Sequence, residues 1–400
     1  MYKKQNVIII LIFIIFISNL TADNFNKIFI EDNNAFAIEL YEQLAKEDGN
    51  IFFSPYSIST ALAMTYAGAR GNTEKEMSKV LHFNLSQNEL HPAFSDLSSY
   101  FARIQNIGNI ELNIANALWI PKNYYILDSF LNINTEYYNA NLFTVDFDKA
   151  PDKAIQEVND WVEENTKNKI KDILKNEDLH PLTRLILTNA IYFKGDWEYK
   201  FDKELTAELP FWKNKNKKMM VPMMYQKGNF KYSKNEDYQI LELPYTGKEL
   251  SMLILLPNEI DGLSRLEKHL DYIIFTYLNQ FTPHKTVEVY LPKFESTKRF
   301  GLNAKLKTMG MKDAFSDIAD FSGITGNKRL FIHKIIHKAY LKVDEQGTEA
   351  AAATAVIMAE VSYKQSFPIF KADHPFIFLI RENETGSILF IGRIVDPLDK

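Results

Sequence analysis

One stretch decides the fold of this chain: Val343-Asp344-Glu345-Gln346-Gly347-Thr348-Glu349-Ala350-Ala351-Ala352-Ala353-Thr354-Ala355-Val356-Ile357-Met358-Ala359. An acidic segment with one glycine leads into a run that carries no charge after Glu349. Alanine clusters favour a helix, because Ala has the highest helix propensity. With a period of two, however, every second residue from Thr348 to Met358 lies on one face, and all of these are small or apolar. Taken alone, the stretch fits both a short surface helix and a strand that enters a core.

The rest of the chain contains five further recognisable blocks. In order, they are Asn50-Ile51-Phe52-Phe53-Ser54-Pro55-Tyr56-Ser57-Ile58-Ser59-Thr60-Ala61-Leu62, Thr188-Asn189-Ala190-Ile191-Tyr192-Phe193-Lys194-Gly195-Asp196-Trp197, His337-Lys338-Ala339, Asp373-His374-Pro375-Phe376-Ile377-Phe378 and Leu389-Phe390-Ile391-Gly392-Arg393-Ile394-Val395-Asp396-Pro397. Together with the alanine-rich stretch, they resemble the serpins, which are serine protease inhibitors of the mobile-loop type. The resemblance spans roughly residues 30 to 397.

The resemblance implies an α+β fold, in which helices pack around a large central β-sheet with further sheets and an exposed reactive-centre loop at about residues 345–372. We expect residues 23–400 to form one such domain, since no linker rich in Pro, Gly or Ser divides them. The alanine-rich stretch is then read as a strand that inserts into the central sheet after the loop is cleaved.

The resemblance also assigns roles to individual residues. The hinge of the loop consists of Glu345, Gly347, Thr348, Glu349, Ala350, Ala351, Ala352, Ala353 and Thr354. A buried network under the centre of the sheet, called the shutter, consists of Ser54, Ser57, Asn189 and His337, and Trp197 marks the breach where insertion starts. We expect Gly347 to let the backbone bend, because Gly tolerates positive φ, and Thr348 to become buried on insertion.

Counting from the hinge as the family does, the bond that a protease attacks lies between Val361 and Ser362. A small branched side chain at Val361 predicts an elastase-like target. Tyr363 would suit a chymotrypsin-like enzyme, and Lys364, which a count back from His374 favours, would suit a trypsin-like one. The products are a covalent inhibitor–protease complex and a consumed inhibitor. A non-inhibitory serpin that acts as a carrier, storage protein or chaperone is the alternative function.

Composition narrows the other possibilities. The formal charge is −5, from 46 basic and 51 acidic residues, and no basic block predicts a nucleic-acid partner. Polyanion binding is not expected either, because the corresponding stretch, residues 88–105, holds Arg103 as its only Arg or Lys. The chain has no Cys and shows none of the common catalytic, phosphate-binding or metal-binding motifs. We therefore expect no enzyme activity, no cofactor and no metal.

The N-terminus predicts a secreted protein. Residues 1–22 combine Lys3 and Lys4 with an apolar stretch at 7–17 and the small Ala22, which is the pattern of a signal peptide. About eleven apolar residues are short for a bilayer span, so we expect cleavage rather than a membrane anchor. Asn84 and Asn383 begin the sequons of possible N-glycosylation sites. The mature protein is expected to be a monomer that can form polymers when the loop of one molecule adds to the sheet of another.

Hydrophobic periodicity predicts the main elements. Residues 33–46 form an amphipathic helix, and Ile155, Val158, Trp161 and Val162 lie on a helix that by resemblance crosses the main sheet. Strands are predicted at 239–245 and 249–257 as a hairpin, at 287–294, and at 376–381 and 387–395 as a second hairpin. Helices early and strands late in the chain indicate an α+β domain.

Overall fold

The structure is a computed structural model that describes residues 27–108, 110–180, 183–348 and 367–399. Four sets of predicted functional residues lie outside these ranges. They are the signal peptide at 1–22, the hinge from Glu349 to Thr354, the bond between Val361 and Ser362, and its alternatives Tyr363 and Lys364.

The described ranges contain ten α-helices, most of them in the first half of the chain. They are α1 (Lys27–Leu44), α2 (Pro55–Tyr66), α3 (Gly71–Val80), α4 (Gln87–Gly108), α5 (Asp128–Tyr138), α6 (Pro151–Asn165), α7 (Leu263–Glu267), α8 (Leu270–Asn279), α9 (Asn303–Met309) and α10 (Ser322–Thr325). The helix predicted at 33–46 is confirmed as part of α1. It begins earlier than predicted, and Phe29 and Ile30 in its first turn are also buried.

Fifteen strands are described in the same ranges. They are β1 (Ile51–Phe53), β2 (Ile110–Pro121), β3 (Asn141–Val145), β4 (Leu185–Asp196), β5 (Ala207–Asn214), β6 (Lys217–Lys234), β7 (Tyr238–Pro244), β8 (Leu250–Pro257), β9 (His284–Pro292), β10 (Phe294–Gly301), β11 (Ile332–Asp344), β12 (Gly347–Thr348), β13 (Ile369–Lys371), β14 (Phe376–Glu382) and β15 (Ile388–Ile394). Both predicted hairpins are confirmed, as β7–β8 and β14–β15.

A six-stranded sheet holds the segments that the resemblance places at the functional centre. Its strand order is β10-β11-β12-β4-β2-β3, and β11 also pairs directly with β4. The other strands form a nine-stranded sheet in the order β1-β15-β14-β8-β7-β6-β9-β13, with β5 on the side of β6. The expected α+β class, with helices around a large central sheet and further strands, is therefore confirmed.

Two differences from the sequence prediction concern strand placement. The chain enters the central sheet early, with β2 at 110–121, whereas strands were expected late. The strand predicted at 287–294 is in fact two strands, because β9 ends at Pro292 and β10 begins at Phe294. Proline has no amide hydrogen to continue a ladder, which explains why it stands at a strand end.

Helix α6 covers one face of the six-stranded sheet. Its buried residues Ala154, Val158 and Val162 belong to a hydrophobic cluster with sheet residues that include Trp119 and Ile336. The opposite face of the sheet contributes to the larger core, which also contains α1, α2 and the nine-stranded sheet. The predicted position of this helix across the main sheet is therefore confirmed. No helix in the described part of the chain is both long and apolar enough to cross a membrane.

Candidate functional site at the seam between β4 and β11

The two central strands of the six-stranded sheet are neighbours along most of their length and are separated only at one end. Residues 332–340 of β11 pair in parallel with residues 185–192 of β4, and this line of contact is called the seam here. At its upper end the short strand β12 lies between them, with Thr348 opposite Val343 of β11 and Gly195 of β4. Below the level of Thr348, β4 pairs directly with β11 and the seam is closed.

The structure adds one fact about the hinge. Thr348 was expected to become buried on insertion, and it already has none of its surface exposed. Its hydroxyl lies 2.9 Å from the hydroxyl of Tyr245, so the buried polar group has a partner. Burial raises the pKa of Tyr245, which keeps the phenol neutral for this bond. The loop therefore starts from a position that is already inside the sheet.

Gly347 is required where the chain enters the sheet. A Cβ atom at this position would lie 2.2 Å from the carbonyl oxygen of Gly195 and 2.6 Å from the Cα of Asp196. Both contacts are with backbone, which cannot move aside without opening the pairing between β12 and β4. Close approach to β4, more than bending of the chain, explains why a glycine stands here.

The breach tryptophan lies beside the seated hinge. The Trp197 ring stacks on Tyr245 with centroids 4.7 Å apart, and its Nε1 donates to the carbonyl oxygen of Asp344 at 3.0 Å. The backbone N–H of Trp197 donates to Gln346 at 2.9 Å. Trp197 and Tyr245 thus form a stacked aromatic pair that contacts both sides of the hinge's entry point.

An ion pair with Lys293 holds Glu345, which lies two residues before the point where the chain enters the sheet at Gly347. Glu345 is 3% exposed and accepts hydrogen bonds from Lys293 at 2.8 and 3.0 Å and from Thr206 at 2.8 Å. Burial works to raise the pKa of this carboxyl, but the bonds from Lys293 and Thr206 outweigh it and lower the pKa. The hinge is therefore charged and tied to the sheet on its N-terminal side.

The four predicted shutter residues are brought together under the middle of the seam. His337 Nε2 accepts from the backbone N–H of Ser54 at 3.2 Å, so the ring proton is on Nδ1, which donates to the side-chain oxygen of Asn189. The Asn189 amide nitrogen donates in turn to Ser57 Oγ at 2.5 Å and to Asn116. Burial lowers the pKa of His337 to about 3, so the imidazole is neutral.

The shutter therefore crosses the seam. His337 belongs to β11 and Asn189 to β4, and the two residues are direct partners in the strand register. Ser54 also anchors the network to the nine-stranded sheet, because its Oγ donates to the carbonyl oxygen of Leu389 at 2.6 Å. Separation of β4 from β11 must break the bond between His337 and Asn189.

Four side-chain partners in the site were missed by sequence reasoning: Tyr245, Lys293, Thr206 and Asn116. Each is distant in sequence from the residue that it contacts, and only the fold brings them together. A weak signal existed for Asn116, since a polar residue in the otherwise apolar Ala115–Ile120 segment of β2 needs a partner.

The two candidate glycosylation residues differ in their surroundings. Asn84 is exposed, and its amide nitrogen donates only to the side chain of Asp32, at 2.8 Å. The amide nitrogen of Asn383 donates to the Lys248 carbonyl oxygen at 2.7 Å and to Ser251 Oγ at 2.8 Å. Glycosylation of Asn383 replaces one of its two amide hydrogens, so at least one of these bonds would be lost.

The segment expected to lack a polyanion site is helical. Residues 88–105 fall within α4, where Arg103 lies over the ring of Tyr100 at 5.3 Å. Within the described ranges, no three His, Cys, Asp or Glu side chains are close enough together to hold a metal ion.

The chain is similar to known proteins of one family. The family model for Serpin (serine protease inhibitor) matches residues 31–397. Serpin B4 of Homo sapiens is 41% identical over 388 residues, covering 92% of this chain and 99% of the relative. The leukocyte elastase inhibitor of Sus scrofa is 43% identical over 379 residues, covering 91% and 98%. The solved structure of Serpin48 from the insect Tenebrio molitor matches with a TM-score of 0.85 and 34% identity, covering 93% of this chain and 98% of that one. The chain therefore belongs to the serpin family.

Proposed function

We propose that this protein inhibits serine proteases by inserting its cleaved loop into the seam between β4 and β11. Family membership and the inhibitory names of its relatives support protease inhibition in general. The mechanism is supported by one observation on this chain. The hinge is already seated as β12, and it fixes the register in which the rest of the loop would follow.

That register matches the length of the uncharged run. In an antiparallel pair, each step forward along the loop is one step back along β4. Leu185, ten residues before Gly195, then falls opposite Met358, ten residues after Thr348. On β11, Ile332 falls opposite Ala359 by the same count. The free lengths of the two strands therefore accept the loop as far as Met358 on β4 and Ala359 on β11, and Glu360 falls beyond both.

The side-chain alternation also matches. Thr348 faces the large core, so the small or apolar residues at every second position after it would face the same core. Thr354 would lie opposite both His337 and Asn189 by the same count. Insertion breaks the bond between these two side chains, and the hydroxyl of Thr354 can replace the lost partner for either of them.

The chemistry that starts insertion is acyl transfer. The serine hydroxyl of the protease attacks the carbonyl carbon of Val361, and an ester forms while the peptide bond to Ser362 breaks. The leaving amine of Ser362 takes a proton from the protease's general acid. From Thr348 to Val361 the loop has fourteen residues, about 45 Å of strand. Insertion would carry the esterified protease along the sheet and distort it before water releases it.

An elastase-like protease is the proposed target, because Val361 suits a shallow specificity pocket and because one relative is named as a leukocyte elastase inhibitor. Incubation with elastase, chymotrypsin and trypsin in separate reactions, followed by denaturing gel electrophoresis, tests both proposals. A band at the summed mass, stable in detergent, supports the covalent trap. Cleavage by all three enzymes without such a band contradicts it.

Sequencing the released C-terminal fragment identifies the attacked bond. A new N-terminus at Ser362 supports Val361, whereas Lys364 or Gln365 as the first residue assigns the bond to Tyr363 or Lys364. Thermal stability of the nicked protein then separates the inhibitory function from a carrier or storage function. A loop that inserts raises the melting temperature strongly, because it adds a strand to the centre of the sheet, and a loop that stays outside does not.

We also propose secretion of a monomer that begins at Asp23, on the pattern of residues 1–22. N-terminal sequencing of the protein from its natural source tests this, since an intact Met1 would contradict it. If the source cell glycosylates proteins, we expect the sugar at Asn84 rather than Asn383, whose amide nitrogen is already held by two hydrogen bonds. The loss of a glycan on Asn84→Gln, read by mass, is the test.

A further inference from the structure

The chain between α6 and β4, described as residues 166–180 and called the connector here, touches strands on both sides of the seam. It is covalently continuous with β4, which lies on one side. Near its middle it is bound to α6, where the side chain of Asn159 accepts from the N–H of Leu174 at 2.9 Å and donates to its carbonyl oxygen at 3.0 Å. On the same side, Lys167 of the connector pairs with Glu111 of β2. Further contacts reach β10 and β11, on the far side of the seam.

These far contacts centre on one buried carboxylate. The side chain of Asp178 is 2% exposed, and it receives the guanidinium of Arg299 from β10 and the ammonium of Lys334 from β11, the latter at 3.1 Å. Asp178, Arg299 and Lys334 are called the clasp here. The cations are only partly buried, with 21% of the Arg299 side chain and 31% of the Lys334 side chain exposed.

Two further hydrogen bonds also link β10 and β11 to the connector. Arg299 Nε donates to the carbonyl oxygen of Ile173 at 2.8 Å, and Lys338 Nζ donates to the carbonyl oxygen of Lys171 at 2.5 Å. All of these donors come from β10 or β11, and all of the acceptors lie on the connector. The connector is thus held to β10 and β11 by these side chains, and to the other half of the sheet by its continuity with β4 and by the ion pair between Lys167 and Glu111.

Insertion of a strand would pull this arrangement apart. A new strand in the seam moves β11 away from β4 by about 4.8 Å, whereas the bonds of the clasp are effective only near 3 Å. By the register of the seated hinge, Lys334 lies nine residues below Val343 and faces Ile357. The entering loop therefore reaches the clasp only in its last steps.

We propose that Asp178, Arg299 and Lys334 are positioning residues that set the rate of the final stage of loop insertion. The inference rests on the proposed inhibitory function, because that rate competes with hydrolysis of the ester to the protease. A tighter clasp slows the last steps and releases more cleaved inhibitor. A looser clasp completes the trap sooner.

The test uses the intact full-length protein and two acetylated synthetic peptides, without any protease. The long peptide has the sequence of residues 349–358, which follow the seated Thr348, and passes the level of Lys334, whereas the short one, residues 349–354, ends above it. Peptide added to the protein enters the seam by strand addition, and its incorporation is followed on native gels. A change that only destabilised the protein as a whole would accelerate both peptides.

Asp178→Asn is the main variant, because Asn keeps an oxygen for the N–H of Lys175, which Asp178 accepts at 3.0 Å, while the charge is lost. We expect the long peptide to enter about fivefold faster, the rate change that corresponds to about 1 kcal/mol for a partly exposed ion pair. The short peptide should enter at the wild-type rate. Lys334→Met removes a more exposed partner and gives the same test if Asp178→Asn does not fold.

Glu163→Gln is the matched control, because Glu163 lies on α6 and pairs with Lys171 of the connector, so this ion pair does not reach β10 or β11. It should leave both rates unchanged. Equal uptake of the long peptide by the wild type, Asp178→Asn and Lys334→Met would overturn the proposal, as would equal acceleration of both peptides. Faster uptake in a protein that forms no covalent complex with any protease would support the clasp and reject the inhibitory function.

Discussion

Acid should weaken the protein at His337, the residue that ties β11 to β4. The ring is fully buried and neutral, and burial lowers its pKa to about 3, against about 6.5 in an unfolded chain. Because the folded pKa is the lower one, the contribution to stability is complete above pH 6.5. It is lost progressively as the pH falls from 6.5 towards 3, where the unfolded chain binds a proton that the folded protein excludes.

The size of the effect follows from the difference between the pH and the pKa of histidine in the unfolded chain. At pH 5 that difference is about 1.5 pH units, so His337 alone lowers the free energy of unfolding by about 2 kcal/mol relative to neutral pH. His91 adds a similar loss of about 2 kcal/mol, since burial lowers its pKa to about 4 and its Nε2 is buried without a partner. With an unfolding entropy of about 2.1 cal/mol/K per residue, the sum corresponds to a decrease of about 5 °C in melting temperature.

Scanning calorimetry at one fixed scan rate measures this decrease between pH 7 and pH 5. His337→Gln should have a lower melting temperature than the wild type at pH 7 but a smaller decrease on acidification, since one of the buried titrating rings is gone. His284→Gln is the control, because this histidine is exposed at the start of β9 and should leave the decrease unchanged. An equal decrease in His337→Gln and the wild type would refute the reasoning.

Three further results are expected at the hinge. Gly347→Ala places a Cβ 2.2 Å from the Gly195 carbonyl oxygen, so the hinge should leave the sheet, with a change in tryptophan emission; an unchanged spectrum would contradict the steric argument. Thr348→Arg puts a charge at a position with no exposed surface, and burying that charge costs several kcal/mol. Proteases should therefore cleave the loop of this variant without forming a complex stable in detergent. Glu345→Lys places a second cation beside Lys293 and should lower the free energy of unfolding by about 2 kcal/mol. Urea unfolding measures this change, and Glu345→Gln, which only removes the charge, should lose less.

The sequence predicted the fold where the information is local or carried by the family pattern. The α1 helix, the β7–β8 hairpin and the β14–β15 hairpin follow from periodicity and turn residues, and they were found where expected. The strand β2 was missed, because its alternation is interrupted in the apolar stretch from Ala117 to Ile120. A strand that is buried on both faces gives no period of two.

The site was predictable only in part, because its contacts are made between distant segments. Ser54, Ser57, Asn189 and His337 were named together through the resemblance, and the structure does place them in one network. Nothing in the sequence near Thr348 shows that its partner is Tyr245, 103 residues away. The burial of Thr348 before any cleavage was not predicted for the same reason, since it depends on the pairing of β12 with β4 and β11.

The seam is closed at three levels, and their order along the chain has a consequence for timing. At the top, the hinge is already inside and the Thr348 contact with Tyr245 is already made. In the middle, the proposed insertion would exchange the bond between His337 and Asn189 for the hydroxyl of Thr354, which can accept from the ring N–H and donate to the amide oxygen. At the bottom, the loop brings only Ile357 to the level of Lys334, and an apolar side chain offers nothing to replace the Asp178 carboxylate. If the loop inserts as proposed, the first two levels would therefore be close to neutral exchanges, and the uncompensated loss would fall on the last steps.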